Sequence, residues 1–243
     1  WSSAIDELAC DVLGEIANPR LIVLSAGNAD KNQAIHYPNS VTTDGINDPA
    51  QAWNALCVGA YTMKVTIDPP NSGLLPVAAA GSLSPYSTTS GTWSNAAWPL
   101  KPDVVFEGVN LATDGQSAYT EPCLSLLTTS HEPQRRLLST TCATSAASAL
   151  AARMAAQIST SYPLFWPETV RALIVHSAEW PNRMLQDFLA SDSKAGYENL
   201  VKHCGFGVPD IGRALYSAGD SLTMIVEDQL KPFARQGTKP PTA

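Results

Sequence analysis

Thr141-Cys142-Ala143-Thr144-Ser145-Ala146-Ala147-Ser148-Ala149-Leu150-Ala151-Ala152-Arg153 decides the fold of this chain. A Thr-Ser pair opens a run of small apolar residues. Surface helices carry a single apolar stripe, so a run apolar nearly all round predicts a buried central helix. Its opening hydroxyl, Ser145, lies where the helix dipole and the free N–H groups of the first turn favour developing negative charge. That is a suitable address for a nucleophile. For an isolated Thr-Ser pair, a plain N-cap is the simpler alternative.

Upstream, Leu21-Ile22-Val23-Leu24-Ser25-Ala26-Gly27-Asn28 is a continuous apolar run ending in small residues and an Asn. Continuous rather than alternating hydrophobicity predicts a parallel strand covered on both faces. Asn28 then falls just past a strand's carboxyl end, where open α/β sheets build their sites. A second strand is expected over 54–60 and a third over 103–106, inside Lys101-Pro102-Asp103-Val104-Val105-Phe106-Glu107-Gly108. Ile5, Leu8, Val12 and Ile16 recur at helical spacing, and Asn18-Pro19 ends that helix. Pro167-Glu168 opens a later helix with Pro in the first helical position, and Gly205-Phe206-Gly207-Val208-Pro209-Asp210 turns into a last one. Residues 29–51 and 109–140 read as long irregular stretches, and 221–227 as a late strand. Alternating helices and apolar strands predict an α/β fold, a parallel sheet with helices on both faces.

In this order and spacing the segments resemble the later part of the catalytic domain of subtilisin-like serine proteases, the subtilases. Ala26-Gly27-Asn28 resembles their oxyanion loop, Lys101 to Gly108 their Lys-Pro-Asp strand, and Ala143-Thr144-Ser145-Ala146-Ala147 their Gly-Thr-Ser-x-Ala nucleophile motif. Asn54 to Ala60 and Leu83-Ser84-Pro85-Tyr86-Ser87 are similar to the strand and loop between. The one departure is Ala143 in place of Gly, which matters if the position needs positive φ or close backbone approach. The resemblance implies a serine endopeptidase with Ser145 as nucleophile and Asn28 as oxyanion donor. Ala26 and Gly27 would line the wall for the side chain before the scissile bond. It implies a peptide or protein substrate and no cofactor or metal. It places residues 1–226 in the peptidase domain and 227–243 in a tail.

In subtilases the triad runs Asp, His, Ser, and none of His36, His131, His176 and His203 is followed by the Gly-Thr of the family's His motif. The chain is therefore expected to lack an N-terminal half that carries the base and its carboxylate, together with the strands beside its own. A substitute triad from His131 and Asp103 is the internal alternative. A non-catalytic subtilase-like binding module is the functional one. A sedolisin-type site would want Asp where Asn28 stands, and an α/β-hydrolase would want Gly-x-Ser-x-Gly, absent around Ser145. Gly205-Phe206-Gly207 does not follow a strand and has Asp210 where a dinucleotide loop needs its third Gly.

With 44% apolar and 15% charged residues the composition describes a well-buried body, and a net charge of −7 argues against a nucleic-acid partner. The apolar stretches are too short to span a bilayer. Five cysteines (Cys10, Cys57, Cys123, Cys142, Cys204) show no metal or redox spacing. Their odd number and Cys57's place in a buried strand point to reduced thiols and to a cytoplasmic setting.

Overall fold

A computed structural model of the chain describes residues 1–10, 20–70, 73–93, 98–219 and 224–228. Helix α1 (Ser2–Cys10) precedes strand β1 (Val23–Ser25), and two short 3-10 helices, Lys31–His36 and Asn39–Thr42, lead to β2 (Leu56–Thr62). Strands β3 (Leu75–Pro76), β4 (Ser82–Leu83) and β5 (Val104–Glu107) follow. Then come β6 (Ala112–Thr113), β7 (Ala118–Tyr119), β8 (Leu126–Thr129) and β9 (Leu138–Thr141). The long helix α2 (Ala143–Ser161) is succeeded by α3 (Pro167–His176), α4 (Asn182–Phe188), α5 (Lys194–Cys204) and α6 (Ile211–Gly219).

β2 is the axis of the main sheet. β1 and β5 both run parallel to it and both pair with Val58, so they occupy its opposite edges. β4 pairs antiparallel with Tyr61 and Thr62. The α/β class is as expected, with one departure: this short antiparallel segment at the margin, a common addition to an otherwise parallel sheet. Side chains alternate across β2. Leu56, Val58 and Ala60 meet Ala147, Ala151, Met154 and Ile158 of α2, and Val170, Leu173 and Ile174 of α3. Cys57 turns the other way, toward Ala26, Ile46 and Ala50. Beside it Val105 joins Leu83, Met184, Phe188 and Leu200, so α4 and α5 cover this second face.

α2 starts two residues earlier than expected and is not buried all round. Ala143, Ala147, Ala151, Met154, Ala155 and Ile158 form its buried stripe, while Ser145, Ala149, Ala152, Arg153, Ala156 and Gln157 are exposed. Exposed alanine costs a helix little, because it has the best intrinsic propensity and only a methyl to hydrate. The apolar composition therefore reported helix propensity as well as burial.

Other expectations need correction too. The 109–140 stretch carries β6 to β9: β6 joins β3 and β7 in a small sheet, and β8–β9 form a hairpin with Leu126 opposite Thr141. Helices α4 and α5 have no counterpart in the sequence reading. Residues 224–228 form no strand; Glu227 instead accepts the backbone N–H of Trp166 at 2.8 Å and the Thr169 hydroxyl at the start of α3. The expected continuation of α1 through Val12 and Ile16, the Asn18-Pro19 break, residues 221–223 and, of the expected 227–243 tail, residues 229–243 lie outside the described residues.

A charged knot ties the sheet to α3. Lys101 is only 1% exposed, and its ammonium lies 2.8 Å from Asp103 and donates to the Ala55 carbonyl at 3.2 Å. Asp103 also pairs with Arg171 at 3.1 Å and accepts the Cys57 N–H at 2.7 Å. Every oxygen of this buried carboxylate is committed, as a buried charge requires.

Candidate active site

The site forms where three chain segments converge on the start of α2. β9 ends at Thr141, Cys142 continues extended (φ −148°, ψ 179°), and Ala143 then swings to φ +70° before the helix proper begins. This places the Gly-to-Ala departure at the one residue of the turn that a glycine would adopt freely. The Ala143 N–H donates to the Gly108 carbonyl at 2.9 Å, anchoring the turn to the end of β5. A Cβ on Gly108 would collide with Ala60 Cβ and lie 3.1 Å from the Ala143 carbonyl, so the close approach of strand and turn demands glycine.

Helix starts leave their first N–H groups without intrahelical partners, and here each can be followed. That of Ala143 goes to Gly108. That of Thr144 donates to Asn28 Oδ1 at 3.1 Å. That of Ser145 has no acceptor among the described residues. The Thr144 hydroxyl sits 2.7 Å from Asn28 Oδ1 and 3.0 Å from the Gly27 carbonyl, sharing its single proton between them. Because a backbone N–H can only donate, Asn28 must present its oxygen to Thr144. Its Nδ2 is thereby left pointing elsewhere, with no acceptor among the described residues, on a side chain that is solvent-exposed.

Asn28 is placed by its own loop. Gly27 adopts φ +109°, and a Cβ there would collide with the Asn47 side chain. Asn28 bridges to Ser87, and the Ala29 N–H donates to the Tyr86 carbonyl at 2.9 Å. The buried Thr88 hydroxyl lies 2.8 Å from the Ala26 carbonyl and 3.1 Å from that of Gly27. Ala26 is fully buried, its methyl in the cluster with Ile46, Ala50 and Cys57. Its N–H donates to the Val58 carbonyl at 2.9 Å and its carbonyl also accepts the Asn47 N–H at 3.0 Å, so the residue presents no surface of its own and the outward-facing wall is that of Gly27. Thr88, Asn47 and the Thr144–Asn28 contact escaped the sequence reading. Thr144 stood in the quoted motif, but nothing in one dimension tells which loop its hydroxyl will meet.

Ser145 is the third residue of α2 and exposed. It does not cap the helix: the N-cap is Cys142, without a side-chain hydrogen bond. Among the described residues no histidine hydrogen-bonds to Ser145. His36 and His176 are exposed, each in the last turn of its helix. His131 is exposed beside Glu132, 4.0 Å away. His203 is buried in α5, with Nδ1 2.7 Å from the Asn199 carbonyl. Asp103 is saturated by Lys101, Arg171 and Cys57, so the internal His131–Asp103 alternative finds its carboxylate already engaged.

All five cysteines are free thiols. Burial pushes the Cys57 and Cys204 thiols well above their usual range, so both stay protonated and act as small apolar groups. No helix among the described residues is long and apolar enough to cross a membrane. No cluster of three or more His, Cys, Asp or Glu among them could hold a metal ion.

Comparison with known proteins bears on the same segments. Residues 1–207 match the profile of the subtilase family. The uncharacterized protein y4bN of Sinorhizobium fredii (strain NBRC 101917 / NGR234) is 26% identical over 247 residues, spanning 95% of this chain and 54% of the relative. Among solved structures, a lanthipeptide protease is 17% identical with a TM-score of 0.46, over 82% of this chain and 51% of that one. The epidermin leader peptide processing serine protease (EpiP) of Staphylococcus aureus is 17% identical with a TM-score of 0.42, over 83% and 42%. This chain thus spans about half the length of the curated relative it matches. With most of its length inside the family profile, the chain belongs to the subtilase family.

Proposed function

We propose that this chain carries the nucleophile and the oxyanion donors of a serine endopeptidase. Ser145 Oγ attacks the carbonyl carbon of a peptide bond while its proton passes to a base outside this chain. The negative charge that develops on the carbonyl oxygen is received by Asn28 Nδ2 and the backbone N–H of Ser145. Collapse of the tetrahedral intermediate expels the amine, which takes the proton from the base, and water then hydrolyses the acyl-enzyme. The Gly27 backbone walls the site for the residue before the scissile bond, with the buried Ala26 supporting it from behind. The catalytic Asp and His belong to the expected upstream half of the protein.

The observation that carries this reading is the pair of contacts from Thr144 to Asn28 Oδ1. They turn the asparagine so that its N–H groups face away from Thr144, and neither these nor the Ser145 N–H has an acceptor among the described residues. Donors fixed before the charge appears are what stabilise an oxyanion, because nothing must reorganise during reaction.

In the complete protein, Ser145→Ala is expected to abolish peptide hydrolysis and fluorophosphonate labelling while leaving the fold intact. Asn28→Ala is expected to lower kcat by about 10²–10³ with little change in KM; the scale is that of the asparagine donor in subtilisin itself. The selectivity for kcat arises because the oxyanion exists only in the transition state. The 243 residues alone should neither label nor cleave, and supplying the upstream segment should restore both. Labelling that survives Ser145→Ala would remove the nucleophile assignment. A complete protein that never labels would leave the non-catalytic binding module as the function of this fold.

A further inference from the structure

Trp93 packs on the cluster that buries Ala26, and it also walls a separate cavity that the peptidase chemistry does not use. This cavity, about 460 Å³, lies between α1 and residues 51–54 and is lined by three indoles, Trp53, Trp93 and Trp98, and two carboxylates, Asp6 and Glu7. Trp53 and Trp98 keep 56% and 49% of their surface exposed. Half-exposed indoles gathered around one cavity leave apolar surface in water that a ligand could cover. Trp93 and Trp98 meet edge to face, their centroids 5.2 Å apart and their planes at 84°, so the two ring faces point in different directions around the cavity.

The charge of the lining is one-sided: among the described residues it contains no Lys, Arg or His. The Asp6 carboxylate accepts the backbone N–H groups of Trp53 (3.1 Å) and Asn54 (2.7 Å) and the Asn54 side-chain amide (3.2 Å). Its charge is therefore held at the wall while its lone pairs are largely used. Glu7 is exposed and has no ion pair among the described residues.

We propose that this cavity binds a cationic group, the guanidinium or alkylammonium of a basic peptide side chain. Indole faces attract cations through the ring quadrupole, and the two carboxylates add a field of the matching sign. A carboxylate or phosphate ligand would be repelled. A sugar could stack on the same rings, but Asp6 has few acceptor sites left for its hydroxyls. The cavity does not depend on the peptidase reading, and its test is arranged to be independent of it.

The complete protein carrying Ser145→Ala is titrated with N-acetyl-arginine amide and, separately, with its neutral isostere N-acetyl-citrulline amide, following tryptophan fluorescence. A saturable change with the arginine compound alone is expected. Trp98→Ala should remove it, with circular dichroism reporting the fold. Glu7→Lys alters only an exposed charge, so it keeps the test decisive if the Trp98 variant misfolds. It should weaken binding about tenfold, the scale of reversing one charge a few ångströms from the ligand in a water-like dielectric. Restoring Ser145 should leave the affinity unchanged. An equal response to the citrulline compound, binding unaltered by Glu7→Lys, no saturable response, or saturation by cellobiose in place of the arginine compound would each overturn the proposal.

Discussion

Ala143 shows how a single departure from a motif can be weighed. Its φ of +70° costs a residue bearing a Cβ about 1–2 kcal/mol. Against that, its methyl is buried beside Tyr86, Val109 and Leu111, worth about 0.8 kcal/mol. Glycine would also carry more unfolded-state entropy, about 0.4–1 kcal/mol. The terms nearly cancel, so Ala143→Gly is expected to change stability by less than about 1 kcal/mol in urea unfolding. Ala143→Val should lose about 2 kcal/mol or more, because a β-branched side chain is a genuine outlier at positive φ. A well-tolerated valine would mean that the turn relaxes out of this conformation. The position was legible in the sequence, since the family's glycine announced a special backbone there. The orientation of Asn28 was not: its place after β1 could be read, but which amide atom turns toward the start of α2 depends on Thr144, 116 residues away.

Among the elements, those with long apolar runs were legible and those without were not. β1, β2 and β5 fell within two residues of expectation because Leu21–Leu24, Leu56–Ala60 and Val104–Phe106 are apolar without interruption. The strands β6 and β7 are two residues each, too short to display any period. α5 is polar along much of its length and contains Gly196, which helix propensity disfavours. That glycine is there because a Cβ would collide with the Ser191 carbonyl, a tertiary constraint invisible in one dimension. Gly108 makes the same argument testable at the junction of β5 and α2. Adding a methyl there forces β2 and β5 apart at Ala60 or pushes the Ala143 turn away, and overpacking of this kind costs about 1–3 kcal/mol. Gly108→Ala should therefore lower the urea midpoint. If the displaced turn carries Ser145 with it, kcat should fall more than stability alone explains. A Gly108→Ala variant with unchanged midpoint would show that the strand and turn approach less closely than described.

At the scale of the whole molecule, α5 and the 88–93 loop join the second face of the sheet to the proposed site, and His203 lies at their contact. The Ser90 N–H donates to the Lys101 and Lys202 carbonyls at 3.0 Å, while the Thr88 hydroxyl holds the Ala26 and Gly27 carbonyls. His203 stacks on Phe188 with centroids 5.3 Å apart, and its Nε2 is buried against Gly91. Since the Asn199 carbonyl can only accept, Nδ1 carries the proton of the neutral ring. Nε2 is then a buried acceptor with no partner among the described residues, and protonating it would place a cation there, close to Lys202. Burial, and secondarily the Lys202 charge, hold the His203 pKa below its ordinary 6.5, against the raising effect of the Asn199 carbonyl. The unfolded chain therefore takes up a proton before the folded one does. Stability is full above about pH 6.5, begins to fall below it, and goes on falling until the depressed folded value is reached. The slope from one proton is at most about 1.4 kcal/mol per pH unit, which in a domain of this size moves Tm by roughly 3–5 °C. His203→Gln removes the titration, so its Tm should change less than that of the wild type between pH 7 and pH 5. A lower Tm of the variant at pH 7 is a constant offset from the altered packing and does not enter the comparison. Parallel Tm curves for the two proteins across that range would mean that His203 finds an acceptor when protonated.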